Sequence, residues 1–268
     1  MMSFEQLRAH YPYDVPAAFK VHVIKEYLQA LLLNRISKSG FAKELVFIGG
    51  TSLRFSHGLD RFSEDLDFDY FGTDRELLRE QFDTIARRVS NEGLSCSVVH
   101  DYRDNDNFCK MLFPEIGKSY DLDDPRKKIW VKIDIQKNKT TYDKQLHYVN
   151  RFGLFFPVYL PVINVLLAMK AIVLTQRAKA RDMYDFSFLC NQAMIDFSYL
   201  KKEMARRGVD VASPAVLKQM ILRTVEEADM REKEHEIRLF LINREHAIRV
   251  SSFYDYVSAL DFDALCVL

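Results

Sequence analysis

The sequence predicts an α+β fold: a mixed sheet with flanking helices, followed by a helical C-terminal bundle. Three observations carry this. Short apolar or alternating runs recur between residues 45 and 136, bounded by Gly, Pro or polar clusters. Amphipathic stretches near 17–37 and 74–91 sit among them. From Pro161 onward the apolar spacing is helical almost to the end. With 48% hydrophobic and 13% aromatic residues, the 268-residue chain can bury a core and is not a disordered tail. We place the boundary near residue 155, giving an α+β domain over 1–155 and a helical domain over 156–268.

The elements follow in order. Phe19, Val23, Tyr27 and Leu31 recur at helical spacing within Ala17 to Ser37. Leu45 to Ile48 is a short apolar strand that stops at Gly49-Gly50. Thr51 or Ser52 can cap a short helix ending near Gly58. Leu66 to Phe71 alternates and reads as a strand, and Thr73 or Asp74 caps a helix over 74–91. Strands are expected at Leu94–His100, Lys110–Phe113 and Ile129–Gln136, the last with apolar odd positions. Residues 101–107, DYRDNDN, read as a loop and lack the spaced Gly and distal Glu of a calcium-binding one. Residues 114–128 read as a polar loop. The almost wholly apolar run from Phe152 to Met169 matches a membrane span in length, but Pro157 and Pro161 would cost such a helix backbone hydrogen bonds. It reads instead as a buried extended segment to Leu160, then a helix with Pro161 in its first turn. Breaks are expected at Arg207-Gly208 and Ser213-Pro214.

Composition limits the function classes. Lys and Arg total 38, as do Asp and Glu, so any basic surface must be local. The four cysteines are far apart and form no CxxC pair, which argues against a zinc site or disulfide framework and for a reducing cytoplasm. The mixed, polar N-terminus does not read as a signal peptide. No membrane partner is expected.

Chemistry concentrates in GGTSLRFSHGLDRFSEDLDFD, residues 49–69. On a strand, Asp65, Asp67 and Asp69 share one face, roughly 6.5–7 Å apart, while Leu66, Phe68 and Tyr70 face the core. Like charges held so close repel. A divalent cation such as Mg²⁺ relieves this, since it takes one or two carboxylates plus substrate phosphates and water. The alternative is a charged edge strand that guards against aggregation. Gly49 and Gly50 let a ligand approach the backbone, and the helix start behind them suits a phosphate. Thr51 and Ser52 add hydroxyls, either to the ligand or as plain caps. Asp134 adds a carboxylate from a second strand, or else simply pairs with Lys132. On one continuous helix, Lys170, Arg177 and Arg181 lie within roughly 40° of one another. That basic stripe can hold triphosphate or be a solvated face. Asp182 and Asp185 can pair with it or orient it. Asp69 reads as the solvated end of its strand.

Together these residues resemble the nucleotidyltransferase superfamily: a turn at Gly50 with Thr51 or Ser52, the Asp65/Asp67 pair, then Asp134 on a later strand. GGTSLRF at 49–55, RFSEDLDFD at 61–69, KIDI at 132–135, and Lys170, Ala171 and Arg177 before RDMYD at 181–185 resemble more closely the AbiEii toxin family of abortive-infection and type IV toxin–antitoxin systems. The likeness spans roughly residues 40 to 190. It implies a nucleotidyltransferase-like fold whose helical domain completes the active-site cleft. It also implies transfer of a nucleotide from a triphosphate such as ATP to an RNA acceptor, tRNA as the family would have it, with a cognate antitoxin as partner. Asp65, Asp67 and Asp134 would hold Mg²⁺ or Mn²⁺. Lys170 and Asp182 would belong to the catalytic site. Gly49, Gly50, Thr51, Ser52, Ser63, Lys170 and Arg177 would bind the nucleotide. The Thr-Ser after the glycines departs from the superfamily's usual Gly-Ser. Alternatives are transfer to a protein hydroxyl or small molecule, or a catalytically inactive binding module of the same fold.

Overall fold

The chain opens with α1 (Phe4–Arg8), begun by a capping box in which Ser3 and Gln6 satisfy each other's backbone amides. A 3-10 turn at Ala17–Phe19 leads into α2 (Lys20–Ile36), which is buried along most of its length. β1 (Leu45–Ile48) runs directly into α3 (Gly49–Ser56), and β2 (Leu66–Tyr70) follows. α4 (Arg75–Asn91) is capped by Asp74, whose side chain accepts the Leu77 amide. β3 (Ser97–His100), β4 (Asn107–Phe113), α5 (Ile116–Ser119), β5 (Ile129–Lys137), β6 (Lys144–Arg151) and β7 (Leu154–Pro161) complete this half. The computed structural model describes residues 1–101, 107–137 and 140–267. Most of the expected DYRDNDN loop, residues 102–106, lies outside them.

The chain divides into two units. The first holds Met1–Gly58, Phe62–Asn138 and Gln145–Leu160. Its seven strands form one sheet in the order β3-β4-β5-β2-β1-β7-β6. β1 is antiparallel to β2 and parallel to β7, β2 and β5 are parallel, and β4 is antiparallel to its two neighbours, β3 and β5. This is the mixed sheet with flanking helices that the sequence predicts. On one face Leu66, Phe68 and Tyr70 of β2 and Ile133 and Ile135 of β5 are buried. Those positions alternate with carboxylates and lysines on the other face, so the hydrophobic effect fixes which side the charges take.

A buried ion cluster ties α3 to α2. Arg54 donates from Nε to Glu26 Oε2 at 2.7 Å, Arg151 pairs with the other Glu26 oxygen, and Tyr11 donates to Glu26 at 3.1 Å. The Arg54 guanidinium also lies 4.2 Å from the Phe62 ring centroid. The turn between β6 and β7 places both Phe152 and Gly153 at positive φ, as a tight hairpin requires. Burial of the Phe152 ring against Tyr11 and Tyr27 accompanies that left-handed backbone.

Four expectations are corrected here. Residues 114–128 contain α5 rather than only a loop. Ile116 and Tyr120, four residues apart, are buried, and a Cβ at Gly117 would stand 2.6 Å from the Asp124 and Pro125 carbonyl oxygens. β6 was not expected from its mixed pattern, and it is an edge strand exposed along most of its length. The Leu94–His100 strand begins only at Ser97. Pro161 closes β7 instead of opening the next helix, because β7 extends one residue beyond Leu160.

The second unit comprises Leu59–Arg61, Lys139–Lys144 and Pro161–Leu268. It contains α6 (Ile163–Leu174), α7 (Ala180–Cys190), β8 (Ile195–Asp196) and α8 (Phe197–Arg206). α9 (Pro214–Glu226), α10 (Met230–Arg238), α11 (Ile248–Ser251), α12 (Phe253–Ala259), α13 (Phe262–Leu265) and β9 (Cys266–Val267) follow. α8 ends at the expected break, and Ser213 caps α9 with Pro214 in its first turn. β8 and β9 form a small parallel pair. Among the described residues no helix is long and apolar enough to cross a membrane.

Removing Glu26 would take from Arg54, whose side chain is only 4% exposed, the carboxylate it donates to at 2.7 Å. Glu26→Ala is expected to cost about 3–5 kcal/mol, the scale for breaking a buried ion pair by removing one partner. Urea denaturation of the purified variant checks this.

Candidate active site

The sheet brings two of the sequence-predicted carboxylates face to face. In the β2–β5 pairing Asp67 stands opposite Asp134, and Asp69 stands opposite Gln136. Paired strands lie about 4.8 Å apart, and directly opposed residues share a face. Asp65 precedes β2 by one residue and belongs to the same alternation. Lys132 Nζ donates to Asp134 Oδ2 at 2.6 Å. Burial pulls the Lys132 ammonium toward neutrality, but the hydrogen bond to Asp134 and the charges of Asp134, Asp65 and Asp67 outweigh it and raise its pKa. The face thus already draws a cation among its carboxylates.

Asp69 is not a solvated strand end. It is 1% exposed and accepts a hydrogen bond from Gln136. The amide opposite it in register lets the carboxylate be buried with a partner.

Gly49 explains why the turn before α3 must be glycine. Its φ is +77°, and a Cβ there would overlap the Asp67 carboxylate. The helix begins at Gly49 itself, with Ile48 at its cap position and no side-chain cap. The expectation that Thr51 or Ser52 caps it is therefore corrected: both lie inside the first turn and are buried. Thr51 Oγ1 donates to the Asp65 carbonyl at 2.5 Å, and Ser52 Oγ donates to the Gly49 carbonyl at 2.8 Å. Thr51 so ties α3 to the backbone of the first aspartate. Gly50 is buried beside them, and the uncapped first turn presents its positive dipole end. Ser63 is half-buried, and its carbonyl accepts from Gln29 Nε2 at 3.2 Å.

Within the second unit, Lys170 of α6 is held by two carboxylates of α7. Its ammonium lies 3.2 Å from Asp182 Oδ1 and 2.7 Å from Asp185 Oδ2. Arg177 Nε donates to the other Asp182 oxygen at 3.0 Å. Arg61 grips Asp185 with two bonds of 2.7 Å. Three cations against two carboxylates leave one net positive charge in a largely buried cluster. The continuous basic stripe expected over 170–181 is corrected: α6 ends at Leu174. Lys170 and Arg177 converge through Asp182 across that break, while Arg181 lies over the Phe240 ring at 5.1 Å.

Sequence reasoning missed Arg61. It also missed a cluster in which Tyr184 donates to Asp60 at 2.6 Å, His246 pairs with the other Asp60 oxygen, and Arg249 donates to Tyr184 at 3.1 Å. Arg61 and Asp185 are 124 residues apart, so no local spacing could reveal their pairing. The Arg of RFSED and the final Asp of RDMYD were the only signals.

Among the described residues no three His, Cys, Asp or Glu side chains stand close enough to enclose a metal ion by themselves. The oxygen donors on β2 and β5 fit a divalent ion held jointly with substrate phosphates and water, which is how Mg²⁺ is usually bound.

The family model of the AbiEii nucleotidyl transferase toxin, a type IV toxin–antitoxin system, matches residues 31–261. No curated protein sequence matches the chain. Among solved structures, MenT4, a nucleotidyltransferase toxin from Mycobacterium tuberculosis H37Rv, is similar in fold, with TM-score 0.59 and 19% identity over 98% of this chain and 92% of that one. JHP933 from Helicobacter pylori aligns with TM-score 0.46 and 17% identity over 88% of this chain and 91% of that one.

The buried cluster sets an acid limit. Burial works against the Asp182 carboxylate, but the charges of Lys170 and Arg177 prevail and hold its pKa below the ordinary 3.8. A depressed carboxylate stabilises the fold above its unfolded value and loses that contribution as pH falls through the folded one. Stability should therefore decline below pH 3.8, and Asp182→Asn should make that part of the decline shallower. Denaturant titrations at stepped pH values test it.

Proposed function

The chain belongs to the AbiEii nucleotidyltransferase toxin family of type IV toxin–antitoxin systems, and from that premise we propose that it transfers a nucleotide from a nucleoside triphosphate to an RNA acceptor, with tRNA the first candidate. The observation that carries this is the register that sets Asp67 opposite Asp134 above Gly49. Asp65, Asp67 and Asp134 would hold Mg²⁺ or Mn²⁺, which supplies positive charge against the triphosphate.

The residues then have distinct tasks. Gly49 and Gly50 admit the phosphates to the first turn of α3, where the dipole favours negative charge. Thr51 and Ser52 keep that turn in place through their carbonyl bonds, and Ser63 supports the approach to Asp65. A hydroxyl of the acceptor attacks the α-phosphorus and forms the new P–O bond. The bond to the β-phosphate oxygen breaks, and pyrophosphate carries away that electron pair. An aspartate of the β2–β5 face accepts the hydroxyl proton. Within the second unit, Asp182 positions the Lys170 and Arg177 cations. A cognate antitoxin would restrain the enzyme in the cytoplasm, where its substrates are.

Incubation with a divalent cation, each labelled triphosphate in turn, and total tRNA or lysate tests the reading. Label on RNA is the expected result. Asp67→Asn or Asp134→Asn should lower the rate by at least about 10²-fold, the scale of losing one transition-state charge contact. Label on protein or a small molecule would redirect the acceptor, and no labelling under any condition would reject transfer.

A further inference from the structure

The carboxylate face does not end at Asp134. Along β5 the same face carries Lys132 and then Trp130, the single tryptophan of the chain. Lys110 of β4 stands opposite Lys132, and Leu112 stands opposite Trp130. Val99 of β3 stands opposite Lys110. Trp130 is 41% exposed and Val99 51%, and Lys110 is exposed as well. A tryptophan on a strand interior would ordinarily be covered; this one lies open beside two lysines. Exposed Lys128 leads into the strand two residues before it. In a chain whose charges balance, this is a local basic and aromatic surface continuous with the carboxylates.

We propose that Trp130, Lys110 and Lys132 form the platform on which the unpaired end of a nucleic-acid acceptor lies as its terminal hydroxyl reaches Asp67 and Asp134. This rests on the nucleotidyl-transfer reading above. Single strands are bound by aromatic rings that stack bases and by cations that follow the backbone. Here both occur in one register. Four residues separate Trp130 from Asp134, about 13 Å along the strand. The ring therefore meets a base set back from the reacting end. Lys132, already paired with Asp134, links the two regions. A protein acceptor would have no need for a stacking ring beside paired lysines, and the charge complements phosphate.

The sole tryptophan makes the test direct. A short single-stranded oligoribonucleotide should quench the intrinsic fluorescence of the wild-type protein, whereas triphosphate alone should not. Trp130→Ala should weaken binding of a labelled oligoribonucleotide by about tenfold, as loss of one stacked base implies, and leave the KM for triphosphate unchanged. Lys110→Gln should flatten the slope of log affinity against log salt by roughly 0.7, the loss of one phosphate contact on a single strand. Transfer to RNA with an unmoved tryptophan signal and unchanged Trp130→Ala affinity would overturn the platform and leave the activity standing. Quenching by triphosphate alone would give the ring to the substrate base and overturn it too. Label found only on protein would reject the RNA acceptor. An oligoribonucleotide that left the tryptophan silent would then reject the platform as well.

Discussion

The parallel register of β2 against β5 is the constraint on which the proposed chemistry depends. Side chains alternate along a strand, so a slip of β2 by one residue against β5 would bury Asp67 and expose Leu66 while Asp134 kept its face. Burial of the apolar sides, Leu66, Phe68 and Tyr70 on β2 and Ile129, Val131, Ile133 and Ile135 on β5, opposes that slip. The core thereby positions the acidic groups without touching them. Electrostatic repulsion among them is offset in the protein itself by the Lys132 ammonium.

Around this register the first unit arranges close backbone approaches. Gly49 yields its Cβ space to Asp67, and Thr51 binds the backbone of Asp65. Glu26 anchors Arg54, at the far end of the same helix, in a buried site. The GGTSLRF segment is therefore a fitted piece of scaffold: its glycine makes room, its hydroxyls brace, and its arginine locks. In the second unit Lys170 is restrained just as firmly. Arg61 holds Asp185, and Asp185 with Asp182 holds the ammonium, so the cation is fixed within its own unit.

Much of this was legible in the sequence because strand alternation is a local property. Asp65 and Asp67 on one face, the apolar positions between them, and Asp134 on a clean later strand all follow from a period of two. The fold class followed from the same patterning. What was not legible depended on partners far along the chain. Asp69 looked solvated because nothing local announces Gln136 across the sheet. Thr51 and Ser52 looked like caps because the sequence does not show that the helix starts at the glycines. The basic stripe looked continuous because no glycine or proline marks the end of α6 at Leu174. Arg61 was overlooked because its partner is 124 residues away.

The central claim is that Asp67 and Asp134, opposed in register, hold a divalent cation together with the triphosphate. Electron paramagnetic resonance of Mn²⁺ with a non-hydrolysable triphosphate tests it most directly. Bound Mn²⁺ that depends on the nucleotide is expected in the wild-type protein. Most of that signal should be lost in both Asp67→Asn and Asp134→Asn, with circular dichroism unchanged. Equal Mn²⁺ binding by the wild type and by folded Asp134→Asn would contradict it.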